Sequence, residues 1–446
     1  MNDITAIFAF LKCCLGYKGN MSRVIAGMDW QELYSFASKQ AILGLCFEGI
    51  ERLGKEYPEE LKRNPIGRKL LMTWMGKAQQ IRRQNMKVNA VASKLFSIIR
   101  EDGLRCCILK GQGNALMYPN AYSRTPGDID VWIDASREEI TEYAQKKFEL
   151  EDDIRLQHLE TSFDDVPVEL HFFPCSMNNP IYHARLQKWF KRNADLQCSH
   201  IVRLPDGAGD IAIPTTAFNV IYQLTHLYHH FFDEGIGMRQ IIDYFLVVND
   251  FSKNVFLNND FSNPSVSLSK GSSTSHPSPL SSEERDVTAL RCSEPLRSKD
   301  GGASKPSPGC AGWDRLDTTG DTCSVSCSSA STALDVVQRE LKYLGLWKFA
   351  GAVMYVLKEV LGLSEDKMIV PVDEKRGKLL LAEILNGGNF GKHFTKYAGF
   401  THQSMGKKYF LKIWRNMHFV RYYPAEALSE PIFRTWHFFW RVKNKK

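Results

Sequence analysis

Residues 108–134 read ILKGQGNALMYPNAYSRTPGDIDVWID, and the reading of this stretch decides the fold. It starts inside an apolar run bounded by glycine, LRCCILK at 104–110, which reads as a buried strand. NALMY follows as a helical turn, and DIDVWID alternates as a second strand. Side chains alternate along a strand, so Asp128 and Asp130 share one face while Ile129 and Val131 share the other. Two carboxylates side by side on a buried strand repel each other and are costly to bury without a partner. A lone DxD is more often a solvated strand edge, so the pair has to be weighed with its surroundings.

Those surroundings are informative. SREEITEYAQKKF at 136–148 has a helical pattern, and IRLQHLETSF, DD, VPVELHFF at 154–173 reads as a hairpin around a two-acid turn. In its second strand Glu169 and His171 share a face, and Val168, Leu170 and Phe172 share the opposite one. If that strand lies beside DIDVWID, then Asp128, Asp130 and Glu169 converge, and three such groups cannot all stay ionised in a pocket without a cation. Hard divalent ions with oxygen ligands, chiefly Mg²⁺, meet that demand. The strand–glycine–helix unit ahead of the pair adds a helix N-terminus whose free N–H groups suit phosphate. KGQG lacks the GxxxxGK[ST] spacing, which excludes a P-loop.

The chain has 446 residues, enough for two or three domains, with 43% hydrophobic and 24% charged residues, as in an ordinary globular protein. A net charge of +7 is compatible with an anionic substrate but is no nucleic-acid signature. The 11 cysteines follow no disulfide framework, and CxxxC at Cys323 and Cys327 has no second pair at zinc spacing. The N-terminus lacks the basic start and cleavage site of a signal peptide, and no apolar run reaches the roughly 18 residues of a membrane span. A cytoplasmic protein is expected.

Five regions are expected: helices over 1–100, an α/β core over 101–213, helices over 214–251, a Ser/Pro/Gly-rich disordered insertion over 252–332, and helices over 333–446. Asp29 is the expected cap of an N-terminal helix, and Thr215 or Thr216 of the helix TTAFNVIYQLTHLYHHFF. PIFRTWHFFWRVKNKK at the C-terminus reads as a helix packed on the core, or alternatively as an interfacial membrane helix.

LKG at 109–111, LMYP at 116–119, Arg124, GDIDVWID at 127–134 and VELHF at 168–172 together resemble the nucleotidyltransferases of the DNA polymerase beta superfamily. They are most similar to its bacterial, largely uncharacterised branch. The resemblance implies an α+β fold: a small mixed β-sheet core flanked by N-terminal and C-terminal helical regions. It also implies transfer of a nucleoside monophosphate from an NTP, ATP being the expected one, to an unknown hydroxyl acceptor. On that pattern Asp128, Asp130 and Glu169 are the catalytic carboxylates and ligands of Mg²⁺. Gly111, with Gln112 and Gly113, would cradle the triphosphate, and Lys110 would add a phosphate-binding charge. Gln112 departs from the usual Gly or Ser at its position.

Arg124 reads either as a guanidinium on the triphosphate or as a loop arginine paired with an acid. His171 would orient Glu169, contact phosphate, or simply pack. Arg239 and Asp243, four apart, read as an ordinary helix ion pair. Two other functions compete. One is a catalytically inactive nucleotide- and metal-binding module of the same fold. The other is a metal hydrolase centred on His226, His229 and His230 with Asp233 nearby, although HExxH is absent.

Overall fold

The computed structural model describes residues 4–150, 155–257, 324–393 and 405–444. The N-terminal region is helical, with α1 Ile4–Cys14, α2 Ser22–Ala26, α3 Trp30–Lys39, α4 Leu43–Glu56, α5 Pro58–Arg63 and α6 Arg68–Glu101. Asp29 caps α3, its side chain accepting from the backbone N–H groups of Gln31 and Glu32 at 2.8 and 3.0 Å. The core comprises β1 Cys106–Leu109, α7 Gly111–Ala115, β2 Ile129–Ile133, α8 Arg137–Lys147, β3 His158–Phe163, β4 Val166–His171 and α9 Pro180–Ser199. A ribbon of β5 Ile201–Arg203 and β6 Asp210–Ala212 follows. Then come α10 Thr216–Asp233, α11 Met238–Leu257, α12 Ser324–Tyr343, α13 Trp347–Leu361, α14 Glu374–Gly387, α15 Met405–Met417 and α16 Pro424–Asn444.

The fold is α+β, with a mixed four-stranded sheet in the order β1-β2-β4-β3 and the separate two-stranded ribbon. β1 runs antiparallel to β2, β2 parallel to β4, and β3 antiparallel to β4. The turn between β3 and β4 is Asp164–Asp165, both at positive φ, as the tight hairpin twist requires.

One face of the sheet is apolar apart from Thr161, which stands opposite Val168 and donates to the carbonyl of Glu149 at 2.6 Å. Ile108, Ile129, Val131, Ile133, Val168 and Leu170 pack there against Val91, Ala92, Leu95 and Ile99 of α6 and Ile140 and Ala144 of α8. Each such side chain contributes about 1.5–3 kcal/mol of burial. The opposite face begins apolar and turns polar. Trp132 stacks on Phe218 of α10 at 6.0 Å, while Asp130, Glu169 and His171 share its side of the sheet. α10 lies over this polar face and supplies the far wall of a cavity.

The expected boundaries shift at two places. α11 continues to Leu257 and α12 begins at Ser324, so both ends of the expected 252–332 insertion are helical. Residues 258–323, including Cys323, lie outside the described residues. Thr215 occupies the N-cap position of α10, but its hydroxyl donates to Gln197 Oε1 at 3.0 Å and caps nothing.

Helix α4 presses directly on the loop that feeds β2. A Cβ added to Gly44 would stand 2.3 Å from the carbonyl oxygen of Ser123. Gly44→Ala must therefore displace backbone, and a loss of about 1–3 kcal/mol is expected in denaturant titration.

The C-terminal helices latch onto the end of α10. Asp233 accepts from Lys412 of α15 at 3.0 Å and from Arg434 of α16 at 2.9 Å. Glu426 is buried at the start of α16, where it accepts from the backbone N–H groups of Asn178 and Asn179 at 2.6 and 3.3 Å. Burial pushes its carboxyl up from 4.5 to about 7. The folded state thus holds that proton longer than the unfolded chain, so the group costs stability as pH rises from about 4.5 to 7. Glu426→Gln is expected to flatten this part of the stability–pH profile, checked by melting across pH 4–8. Farther along α16, Ile432, Trp436 and Phe439 are exposed, while Trp440 meets the guanidinium of Arg137 on α8, 5.5 Å from its ring centroid.

Candidate active site

The register of two strands assembles the site. Asp130 sits directly opposite Glu169 across the parallel β2–β4 pair, and Trp132 opposite His171. Asp128 precedes β2 by one residue and stands exposed at the rim. Asp128, Asp130 and Glu169 each place a carboxylate oxygen within 4.8 Å of the others. They line a cavity of about 280 Å³ together with Lys110, Gly111, Arg124 and His171.

Asp130 is buried, and burial opposes its charge. Lys110 Nζ at 2.9 Å and His171 Nε2 at 3.1 Å overcome that and hold its carboxyl below the usual range. The negative charge on Asp130, then partial burial, pushes Asp128 up to about 6. Two neighbouring acids with opposite shifts are the electrostatic signature of a site short of positive charge. Glu169 Oε2 accepts from His171 Nε2 at 3.1 Å and lies 3.4 Å from His158 Nδ1. Burial raises its carboxyl, but the His171 hydrogen bond leads a net shift downward. His171 bridges the two acids through one nitrogen. Its burial disfavours charge, yet the bonds to Asp130 and Glu169 bring it up to about 9.

Lys110 ends β1 with φ +52°, ψ −126°, a conformation that a residue with a side chain rarely adopts. Such strain clusters at functional sites. It aims Nζ between Asp130 and His226 Nε2, the latter 3.2 Å away. Gly111 follows with φ +32° and lines the cavity. Gln112 and Gly113 do not. Gln112 is buried and its amide bonds Asn89 of α6, while Gly113 packs on Ile213. Asn114 and Gln223 exchange amide hydrogen bonds at 3.0 and 2.6 Å, fixing α7 to α10.

Arg124 is buried and forms a two-pronged ion pair with Asp243 of α11, Nε to Oδ1 at 2.9 Å and Nη2 to Oδ2 at 2.8 Å. Tyr118 adds a hydrogen bond to the same carboxylate at 2.7 Å. Arg239, read from the sequence as the partner of Asp243, makes no ion pair among the described residues. Arg124 has taken that carboxylate.

Sequence reasoning missed several residues of the cavity, two of which bear on its chemistry. His158 lies directly opposite His171 in the hairpin, and Glu160 opposite Glu169. A two-residue turn at Asp164–Asp165 fixes that register, so the signal was present. His158, Glu169 and His171 form a second group of donors within 4.8 Å, although His171 Nε2 already serves Asp130 and Glu169. Arg239 is the other. His226, His229 and His230 line the cavity too, but among the described residues they belong to no cluster of three metal-type donors. Burial keeps His229 neutral, lowered to about 4. The described cysteines, Cys13, Cys14, Cys46, Cys106, Cys107, Cys175 and Cys198, are free and buried.

The small mixed sheet with its flanking helices is an α+β, nucleotidyltransferase-like fold. The chain belongs to the uncharacterised nucleotidyltransferase family, whose model matches residues 26–261. That span holds α3 through α11 and every residue of the acidic site. No curated protein and no solved structure matches the chain. No described helix is long and apolar enough to cross a membrane.

Proposed function

We propose that the protein transfers a nucleoside monophosphate from an NTP, with ATP the expected donor, to a hydroxyl acceptor. The observation that carries this reading is the pairing of Asp130 with Glu169 across β2–β4, with Asp128 on the same face and all three lining one cavity. The donor set suits Mg²⁺: three carboxylates, acceptor-only oxygens, at mutual spacings that a hard cation bridges. Asp128, Asp130 and Glu169 would hold it. When bound, divalent ions supply charge neutralisation at the phosphate and activation of the attacking hydroxyl.

The remaining work falls to the chain itself. His171 keeps Asp130 and Glu169 in position by donating to both. Lys110, already in the cavity and ion-paired to Asp130, is within the same space as a phosphate and neutralises charge there. Gly111 lets backbone approach the ligand closely. In-line attack at the α-phosphorus then depends on positioning and charge cancellation more than on covalent chemistry.

The non-catalytic reading draws on Gln112. That side chain is turned to Asn89, out of the cavity, so the departure from Gly or Ser puts no bulk against a phosphate. This favours catalysis. Calorimetry of the full-length protein with a panel of NTPs and Mg²⁺, followed by a pyrophosphate-release assay with a cell extract as the source of acceptors, separates the two. Binding followed by release is expected, whereas binding without release returns the non-catalytic module.

A further inference from the structure

The cations around the cavity are not equivalent. Lys110 is paired with Asp130 at 2.9 Å, Arg124 with Asp243 at 2.8 Å and Arg155 with Glu160 at 2.9 Å. Arg239, in the first turn of α11, has no carboxylate within ion-pair distance among the described residues. Of its five N–H donors, one contact is made, from Nη1 to the carbonyl of Thr125 at 3.2 Å. Its Nε is buried and unbonded. Phe390 lies beside the guanidinium, 5.4 Å from ring centroid to Cζ, and also lines the cavity. Opposite stands Gly127, where a Cβ would come to 4.0 Å from Nη1. The absent side chain leaves the fork open toward the rim that carries Asp128.

An arginine whose burial is not offset by a carboxylate is expensive. Its burial and the neighbouring charge of Arg124 both disfavour its protonated form. Such a group is retained at low cost only where an anion completes it. The planar fork fits two oxygens of one phosphate, and the first turn of the 20-residue α11 adds its positive end. Arg239 also lies beside Gly127, the residue that precedes Asp128 in the chain.

We propose that Arg239 grips the distal phosphates of the nucleoside triphosphate, so that the cavity selects a triphosphate over a monophosphate. This inference rests on the nucleotidyl-transfer reading. Its sequence position hides it, because the spacing to Asp243 suggests a helix pair that Arg124 pre-empts.

The test is calorimetric titration of the full-length protein, in Mg²⁺, with inorganic tripolyphosphate, ATP and AMP. Arg239→Gln is expected to weaken tripolyphosphate and ATP about ten- to a hundredfold, with AMP unchanged and Arg239→Lys in between. Equal tripolyphosphate affinity in Arg239→Gln and the wild type overturns the proposal. If the wild type releases pyrophosphate and Arg239→Gln keeps its KM for ATP, the grip is wrong and nucleotidyl transfer stands. A wild type that binds neither NTP nor tripolyphosphate removes both. Should the glutamine variant fail to fold, phenylglyoxal labelling of the wild type with peptide mapping decides instead. Tripolyphosphate is expected to protect Arg239 from modification, and labelling of Arg239 unaffected by tripolyphosphate overturns the proposal.

Discussion

Asp130→Asn is expected to lower nucleotidyl transfer on the order of a thousandfold or more while the protein stays folded. The substitution keeps the volume of the side chain and one oxygen that Lys110 and His171 still reach, so the packing of β2 is undisturbed. What it removes is the charge at the centre of the site. Asp130 is the acid that Lys110 and His171 both hold ionised, and its charge is the main reason Asp128 is pushed up to about 6. Asparagine there relieves Asp128 and leaves a divalent cation with one anionic ligand fewer. Two measurements check this: pyrophosphate release, and Mn²⁺ binding followed by electron paramagnetic resonance. Both are expected to fall together, with the melting temperature within a few degrees of wild type. Turnover unchanged in Asp130→Asn removes the acidic trio from the chemistry.

The largest effect on stability is expected at Asp243. Its carboxylate is buried and balances an equally buried Arg124, with Tyr118 completing the group. Asp243→Ala strands a desolvated guanidinium and an orphan hydroxyl, a loss of about 3–5 kcal/mol. The loop that carries Arg124 leads straight into Asp128 and β2, so activity should fall with it. Removing both partners, as in Arg124→Met with Asp243→Leu, is expected to recover most of the stability, because the cost lies in the uncompensated charge. The sign with pH follows from the folded state. Burial raises the carboxyl of Asp243, but Arg124 outweighs it and the net shift is downward. Its contribution is therefore complete above the unfolded value of 3.8 and is lost as pH falls through the lower folded value. Chemical denaturation at pH 7 and at pH 3 measures both effects, and a double variant no more stable than Asp243→Ala contradicts the assignment.

The acidic face was legible because strand alternation is a local rule. GDIDVWID puts Asp128 and Asp130 together whatever the rest of the chain does, and VELHF does the same for Glu169 and His171. That β4 lies beside β2, in parallel, was not legible, since α8 and β3 separate them and only packing decides the neighbour. The same limit explains Arg239. Helical spacing offered Asp243 as its partner, yet a better-placed arginine from a distant loop took it, and no local pattern reports such competition. Gln112 is a third instance: the sequence marks a departure at the glycine turn, while the direction of that side chain depends on Asn89, 23 residues earlier on α6.

The proposal is that the carboxylate face holds an NTP for attack at its α-phosphorus. It is tested most directly by incubating the full-length protein and its Asp130→Asn variant with Mg²⁺, a cell extract as source of acceptors, and ATP labelled at either the α- or the γ-phosphate. Label from the α-phosphate should appear on an acceptor and γ-label in released pyrophosphate, both with wild type alone. Transfer of γ-label to the acceptor, or α-label transfer undiminished in Asp130→Asn, would contradict it.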